Sequence, residues 1–194
     1  MKSQQDSAAV HLVSTMRESA ENYRNMMYAL IAQLSDEELH RRPAADVNSV
    51  AVVIKHLGGN LQSRWTDFRT TDGEKPNRNR DGEFEDWNED RKSLLAHFEL
   101  GWRALQAAFD DISIGDLGHK IQIRGEDHTI AQALDRSVSH VAYHIGQIAL
   151  LARLVHEGEW QWLTIAPGKS EQHNEEHWGA STSRGVNAAT ESDQ

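Results

Sequence analysis

The chain has 194 residues, enough for one domain with a sizeable core. Its formal net charge is −10, from 30 acidic against 20 basic residues, which argues against a nucleic-acid-binding face, because phosphate recognition needs a basic surface. There is no cysteine, so disulfides, cysteine metal ligands and cysteine nucleophiles are excluded.

No apolar run approaches the roughly 18 residues needed to span a bilayer, and Met1–Asp6 has no apolar segment behind its charge of the kind a signal peptide carries. A cytoplasmic location without membrane contact is the expectation. The three prolines, Pro43, Pro76 and Pro167, fall between the periodic segments and leave room for long helices.

Residues 1–7 read as a frayed lead. From Ala8 to Leu34 the apolar positions Leu12, Met16, Tyr23, Met26, Met27, Leu30, Ile31 and Leu34 recur at threes and fours, predicting a first amphipathic helix. Ser35-Asp36-Glu37-Glu38 is a capping box that opens a short helix ended by Pro43. Asn48 or Ser49 can cap the next helix, Val50 to about Phe68, in which His56, Asn60 and Arg64 share one stripe at i, i+4, i+8. Thr70 to Glu85 reads as a surface loop, rich in turn formers and mixed charge. A third helix is expected from about Trp87 to Asp110; Gly101 inside it costs about 1 kcal/mol relative to alanine and so points to close packing on a neighbour. Lys120–Ile130 alternates around Ile121 and Ile123 and turns at Gly125, predicting a short hairpin or extended segment. Thr129-Ile130-Ala131-Gln132 is a second capping box, opening the last long helix, Ile130 to about His156, with Gly158 as its stop. The tail from Pro167 reads as ordered in part to Trp178, giving one domain over 1–178 and a disordered segment over 179–194. Four long helices, one long connecting loop and a short hairpin describe an all-α four-helix bundle, a fold that builds metal sites from residues on facing helices.

His140 and His144 stand four apart in the last long helix, on one face, where two imidazoles can reach one metal ion. With 11 histidines in the chain, chance alone supplies ~0.6 such pairs, so spacing is a weak signal. The setting is stronger: both lie among Val138, Val141, Ala142, Ile145, Ile148 and Leu151, and a buried imidazole needs a partner, either a metal or another side chain. A second pair, His173 and His177, lies in a segment of little apolar periodicity and reads as surface or tail. His56 likewise interrupts an apolar helix; it is either a surface residue beside Lys55 or a third ligand. Three histidine ligands leave a coordination position open, as in catalytic zinc sites, and an all-imidazole set suits zinc, nickel, copper or iron.

Lys55–Phe68, Thr71–Pro76, Arg80–Phe84, His140–Gln147 and Pro167–Ser170 together resemble the DinB superfamily of four-helix-bundle proteins, in its branch DUF1572, near the bacillithiol-transferase-like proteins. The resemblance spans about residues 8–175. It implies a divalent metal held by His56, His140 and His144, with zinc or nickel first in line and iron or manganese next, and a homodimer. Characterised relatives join a low-molecular-weight thiol to an electrophile or isomerise a thiol adduct, and the resemblance implies the first, with a small electrophile, as the expected reaction. In that reading Asn60, Arg64 and Gln147 are the candidate catalytic residues. Asn60 and Gln147 would orient a ligand or a bound water. Arg64 would pair with a substrate carboxylate, unless it makes a salt bridge to Asp67 or a loop acid. Tyr143, Trp65 and Trp102 read as packing. The rival readings are a metal-dependent hydrolase and a non-catalytic, stress-associated metal-binding protein; a partly apolar pocket beside the metal position would favour an enzyme.

Overall fold

Side-chain oxygens open most of the long helices of this chain. The computed structural model describes residues 2–178, with α1 (Lys2–Ile31), α2 (Asp36–His40), α3 (Val50–Trp65), α4 (Arg91–Asp111), strands β1 (Lys120–Ile123) and β2 (Glu126–Thr129), α5 (Ile130–Val155) and α6 (Ser170–Trp178). Single 3-10 turns lie at Asp81–Phe84 and Ile114–Asp116. Ser35, Ser49, Asp90 and Thr129 cap α2, α3, α4 and α5, each accepting a hydrogen bond from the backbone N–H three residues on. Each satisfies a donor that the helix start leaves without a partner. Both expected capping boxes form, Ser35 with Glu38 and Thr129 with Gln132.

The fold is all-α with one small two-stranded sheet. It divides into two units, one ending at Gly158 and one beginning at Glu159. In the first, α3 packs most extensively on α4, and α5 packs on both α1 and α3. The core is built from Met27 and Leu30 of α1, Leu57 and Leu61 of α3, Leu94, Phe98 and Leu105 of α4, and Leu134 and Ile148 of α5, all nearly or fully buried. Burying a side chain of this kind contributes roughly 1.5–3 kcal/mol. Among the described residues, no helix is long and apolar enough to cross a membrane. In the second unit, Gly168 adopts φ 78° just before α6, and His173 and His177 lie on that helix with their rings stacked.

Three contacts bear on the site. A Cβ built on Gly101 would collide with the carbonyl oxygen of Gly58, so the backbones of α3 and α4 touch there; this is the close packing that a mid-helix glycine signals. Trp65 donates through its indole N–H to Ser137 Oγ at 2.9 Å, tying the end of α3 to α5. Glu38 accepts the backbone N–H of Glu157 at 2.7 Å and so holds α2 to the end of α5.

The hairpin is regular. Ile123 pairs with Glu126, leaving Arg124 and Gly125 as a two-residue turn with φ of 57° and 75°. Positive φ at both positions is the type I′ geometry that matches strand twist. Asp72 accepts the backbone N–H groups of Arg124 and Gly125 at 2.8 and 2.7 Å, which fastens the α3–α4 connection to this turn.

Several boundaries differ from the sequence reading. α1 begins at Lys2, not after a frayed lead, and ends at Ile31. α3 stops at Trp65, because Thr66 turns extended and Asp67 takes φ 47°. α4 begins at Arg91, because the Asp90 carboxylate caps it; Trp87 lies outside. α5 ends where His156 turns extended, so Gly158 is not its stop. The segment read as a disordered tail, 179–194, lies outside the described residues.

Candidate metal centre

α3 delivers His56 and α5 delivers His140 and His144 to one point. His140 Nε2 lies 3.4 Å from His56 Nε2 and 3.1 Å from His144 Nε2, and ligand nitrogens of all three lie within 4.8 Å of one another. A tetrahedral site with metal–nitrogen bonds of about 2.0–2.1 Å has edges of about 3.3 Å, so the two shorter separations fit a shared ion. His56 and His144 are buried, and His140 is half-buried.

The outer nitrogens determine the tautomers. His56 Nδ1 lies 2.8 Å from Glu83 Oε2, in a pair that is almost fully buried. Burial works to raise the Glu83 carboxyl, but hydrogen bonds from His56 and Arg78 outweigh it and hold the group below the usual carboxylate range. An ionised carboxylate only accepts, so His56 Nδ1 carries a proton, which leaves Nε2 as the atom of this ring that would ligate a metal. His144 Nδ1 donates to Gln147 Oε1 at 2.6 Å, which likewise leaves a lone pair on its Nε2. His140 is held down to about 3 by burial first, then by its two histidine neighbours, and burial lowers His144 as well. Both are therefore neutral and ready to ligate at neutral pH. A proton on His140 Nε2 could satisfy only one of the facing lone pairs, and its buried Nδ1 has no hydrogen-bond partner. A cation satisfies all three inner nitrogens at once, so the residues present fit a divalent metal. A carboxylate behind a ligating imidazole is also the usual support of such sites.

The loop read as surface supplies that support. The 3-10 turn at Asp81–Phe84 buries Glu83, where Arg78 donates to it from Nε and Nη2 at 2.7 and 2.8 Å. Lys55 donates to the Gly82 carbonyl at 2.6 Å, pinning the turn to α3. The Phe84 ring stacks on His56 with centroids 4.7 Å apart. Arg78 does not stand out in the sequence, and Glu83 lies within the Arg80–Phe84 block of the resemblance without being marked there as a site residue. The available signal is Phe84, an apolar residue two positions after Gly82 within a polar loop.

The other expected residues divide. Gln147 accepts from His144 Nδ1, and its amide also donates to the Tyr143 hydroxyl at 3.2 Å. Asn60 makes no side-chain hydrogen bond among the described residues but lines a cavity of about 130 Å³ beside the site, together with His56, His140, Ser137, Arg64, Arg80, Arg124 and Arg136. Arg64 pairs with neither Asp67 nor a loop acid; it is buried, and its Nη1 has no hydrogen-bond partner. Tyr143 is 63% exposed and not core packing, since it falls off the buried stripe of α5, whereas Trp65 and Trp102 are buried as expected. The cavity against the histidines is lined by more polar than apolar surface. A larger one, about 670 Å³, lies behind Glu83 between α3 and the loop, and none of the three histidines lines it.

A family model described as "Protein of unknown function (DUF1572)" matches residues 7–169. The chain belongs to the DUF1572 family. No curated protein and no solved structure matches it. The match covers every element that builds this DUF1572 site, from α1 to α5, and ends before α6. Among the described residues of the DUF1572 chain, the three histidines are the group of histidine and acidic side chains placed to hold a metal; His173 and His177 belong to no such group.

Proposed function

We propose that this DUF1572 protein is a DinB-like four-helix bundle, formed by α1, α3, α4 and α5, that holds a divalent metal through His56, His140 and His144. Zinc or nickel is the first expectation and iron or manganese the next. We propose further that it is a metal-dependent transferase joining a low-molecular-weight thiol to a small electrophile. The observation that carries the metal reading is the convergence of three Nε2 atoms whose outer nitrogens are engaged by Glu83, engaged by Gln147 and, at His140, buried.

A bound divalent ion would supply Lewis acidity, holding a thiol as thiolate or activating a water. The protein's own part is orientation. Glu83 keeps the His56 proton on Nδ1, Gln147 does the same for His144, and Phe84 covers one face of His56. The cavity walled by His56 and His140 supports an enzyme over a sealed structural site, because a reactant has somewhere to sit beside the ligands. A homodimer belongs to the same reading, with the exposed α5 side chains Tyr143, Leu150 and Leu154 as the face it would cover.

The test has two stages. Elemental analysis of the purified chain should find one divalent metal per chain, and His140→Ala with His144→Ala should find none; metal retained at full stoichiometry in that double variant would sink the site. Consumption of an electrophile only when both metal and added thiol are present supports transfer. Metal-dependent turnover of the same compound without thiol would replace it with hydrolysis.

A further inference from the structure

The cavity beside the histidines has an unusual charge. The protein as a whole is strongly acidic, at −10, yet this cavity is lined by four arginines and no carboxylate. Arg124 is paired with Glu74 at 3.1 Å. Among the described residues, Arg64, Arg80 and Arg136 form no ion pair with any acid. Arg80, Arg124 and Arg136 are exposed and stand at the mouth, whereas Arg64 is only 5% exposed and forms the floor.

Arg64 is the informative residue. Burying a cation costs several kcal/mol unless a partner repays it, and here the buried Nη1 has no acceptor. Burial first, then Arg136 and Arg78, push the guanidinium down to about 10, so it remains charged at neutral pH. Gly73 leaves just enough room for it, since a Cβ there would meet Arg64 Nη1 at 2.8 Å. The guanidinium is therefore wedged in place, charged and short of an acceptor. Asn60 and Ser137 add uncharged polar groups; Ser137 Oγ accepts from Trp65, which leaves its own O–H free to donate.

We propose that this cavity is an oxyanion subsite, and that the ligand approaching the tri-histidine group carries a compact carboxylate or phosphate held by Arg64 at the floor and by Arg80 and Arg136 at the mouth. The planar guanidinium fork matches both oxyanions in a two-point contact. At about 130 Å³, the space suits a compact group of this kind. The inference rests on the metal reading only in taking the anion to be one end of the ligand whose other end meets the histidines. It narrows the substrate to an anionic small molecule.

The test is titration calorimetry of the full chain with inorganic phosphate and, separately, with malonate, in chelator-treated and metal-loaded protein. Saturable binding of at least one anion to the wild type is expected in both forms. Arg64→Met should weaken it at least tenfold while leaving the thermal midpoint unchanged or higher, because an unpaired buried charge has been removed. Arg64→Lys should keep more of the phosphate binding than of the malonate binding if the site takes tetrahedral oxyanions, and lose both alike if it needs the planar fork. Absence of saturable binding in the wild type, or binding unaltered in Arg64→Met, overturns the proposal. Loss of metal in His140→Ala with His144→Ala while anion binding persists would show that the two readings stand or fall separately.

Discussion

Replacing Glu83 by glutamine tests the support of the site with almost no change of shape. The carboxylate accepts three hydrogen bonds, from His56 Nδ1 at 2.8 Å and from Arg78 Nε and Nη2 at 2.7 and 2.8 Å. An amide keeps one acceptor oxygen and places an NH2 against the other donors. Arg78, with a side chain only 4% exposed, would keep its bond to Glu74 at 3.0 Å but lose its buried counter-charge. Breaking a buried pair costs about 3–5 kcal/mol when nothing compensates, so with Glu74 remaining the metal-free protein should lose about 3 kcal/mol. For a chain of this size that lowers the melting midpoint by roughly 6–12 °C. Metal affinity should fall separately, by about 10–100-fold, as it does when a ligating histidine loses its orienting partner. Adding Arg78→Met removes the stranded cation and should restore most of the stability but none of the affinity. The assays are urea or thermal melts of chelated protein and zinc competition against a chelator of known strength. Metal affinity within twofold of wild type in Glu83→Gln, or full recovery of affinity in the double variant, would refute the idea that Glu83 orients a ligand.

Three further outcomes are expected. Gln147→Leu removes the acceptor on His144 Nδ1 and should weaken zinc binding about tenfold with little effect on the melt of the metal-free chain; unchanged competition curves would count against it. Gly101→Ala should destabilise by about 2 kcal/mol despite the better helix propensity of alanine, because the new Cβ meets the Gly58 carbonyl; a raised melting midpoint would contradict the backbone contact. The backbone N–H groups of Ser35 and Glu157 pull Glu38 down from its ordinary 4.5 to about 2. Its contribution is therefore present above about pH 4.5 and lost as pH falls towards 2, and Glu38→Gln should flatten the fall in urea midpoint between pH 4.5 and 2.5, with parallel wild-type and variant curves ruling the linkage out.

Much of this arrangement is legible in the amino-acid sequence, and the reasons are local. The caps at Ser35, Ser49 and Thr129 and the Gly125 turn depend on residues within four positions of one another, and each is found where its neighbours place it. The His140–His144 pair is set by helical spacing alone. Asp90 escapes notice as a cap because Trp87 extends the apolar pattern beyond the point where the backbone becomes helical. Glu83 is hidden for a different reason. Its partner His56 stands 27 residues away, and a 3-10 turn leaves no periodic trace in composition. Arg64 is visible as a member of the right stripe, but its lack of a counter-ion is a property of three-dimensional neighbours that no spacing encodes.

The contact of Gly58 with Gly101 also bears on how this protein can vary. Where two helices are separated by side chains, a change of one methylene shifts the distance between them. Here peptide group meets peptide group, so the gap has a hard stop that neighbouring side chains do not set. Gly58 is two residues from both His56 and Asn60 and six from Arg64, so the stop lies in the middle of the stretch that carries them. Leucines and phenylalanines around α3 and α4 can therefore be exchanged for residues of similar volume without moving that stretch, and variants selected for a different anion or a different reactant can keep the same anchor.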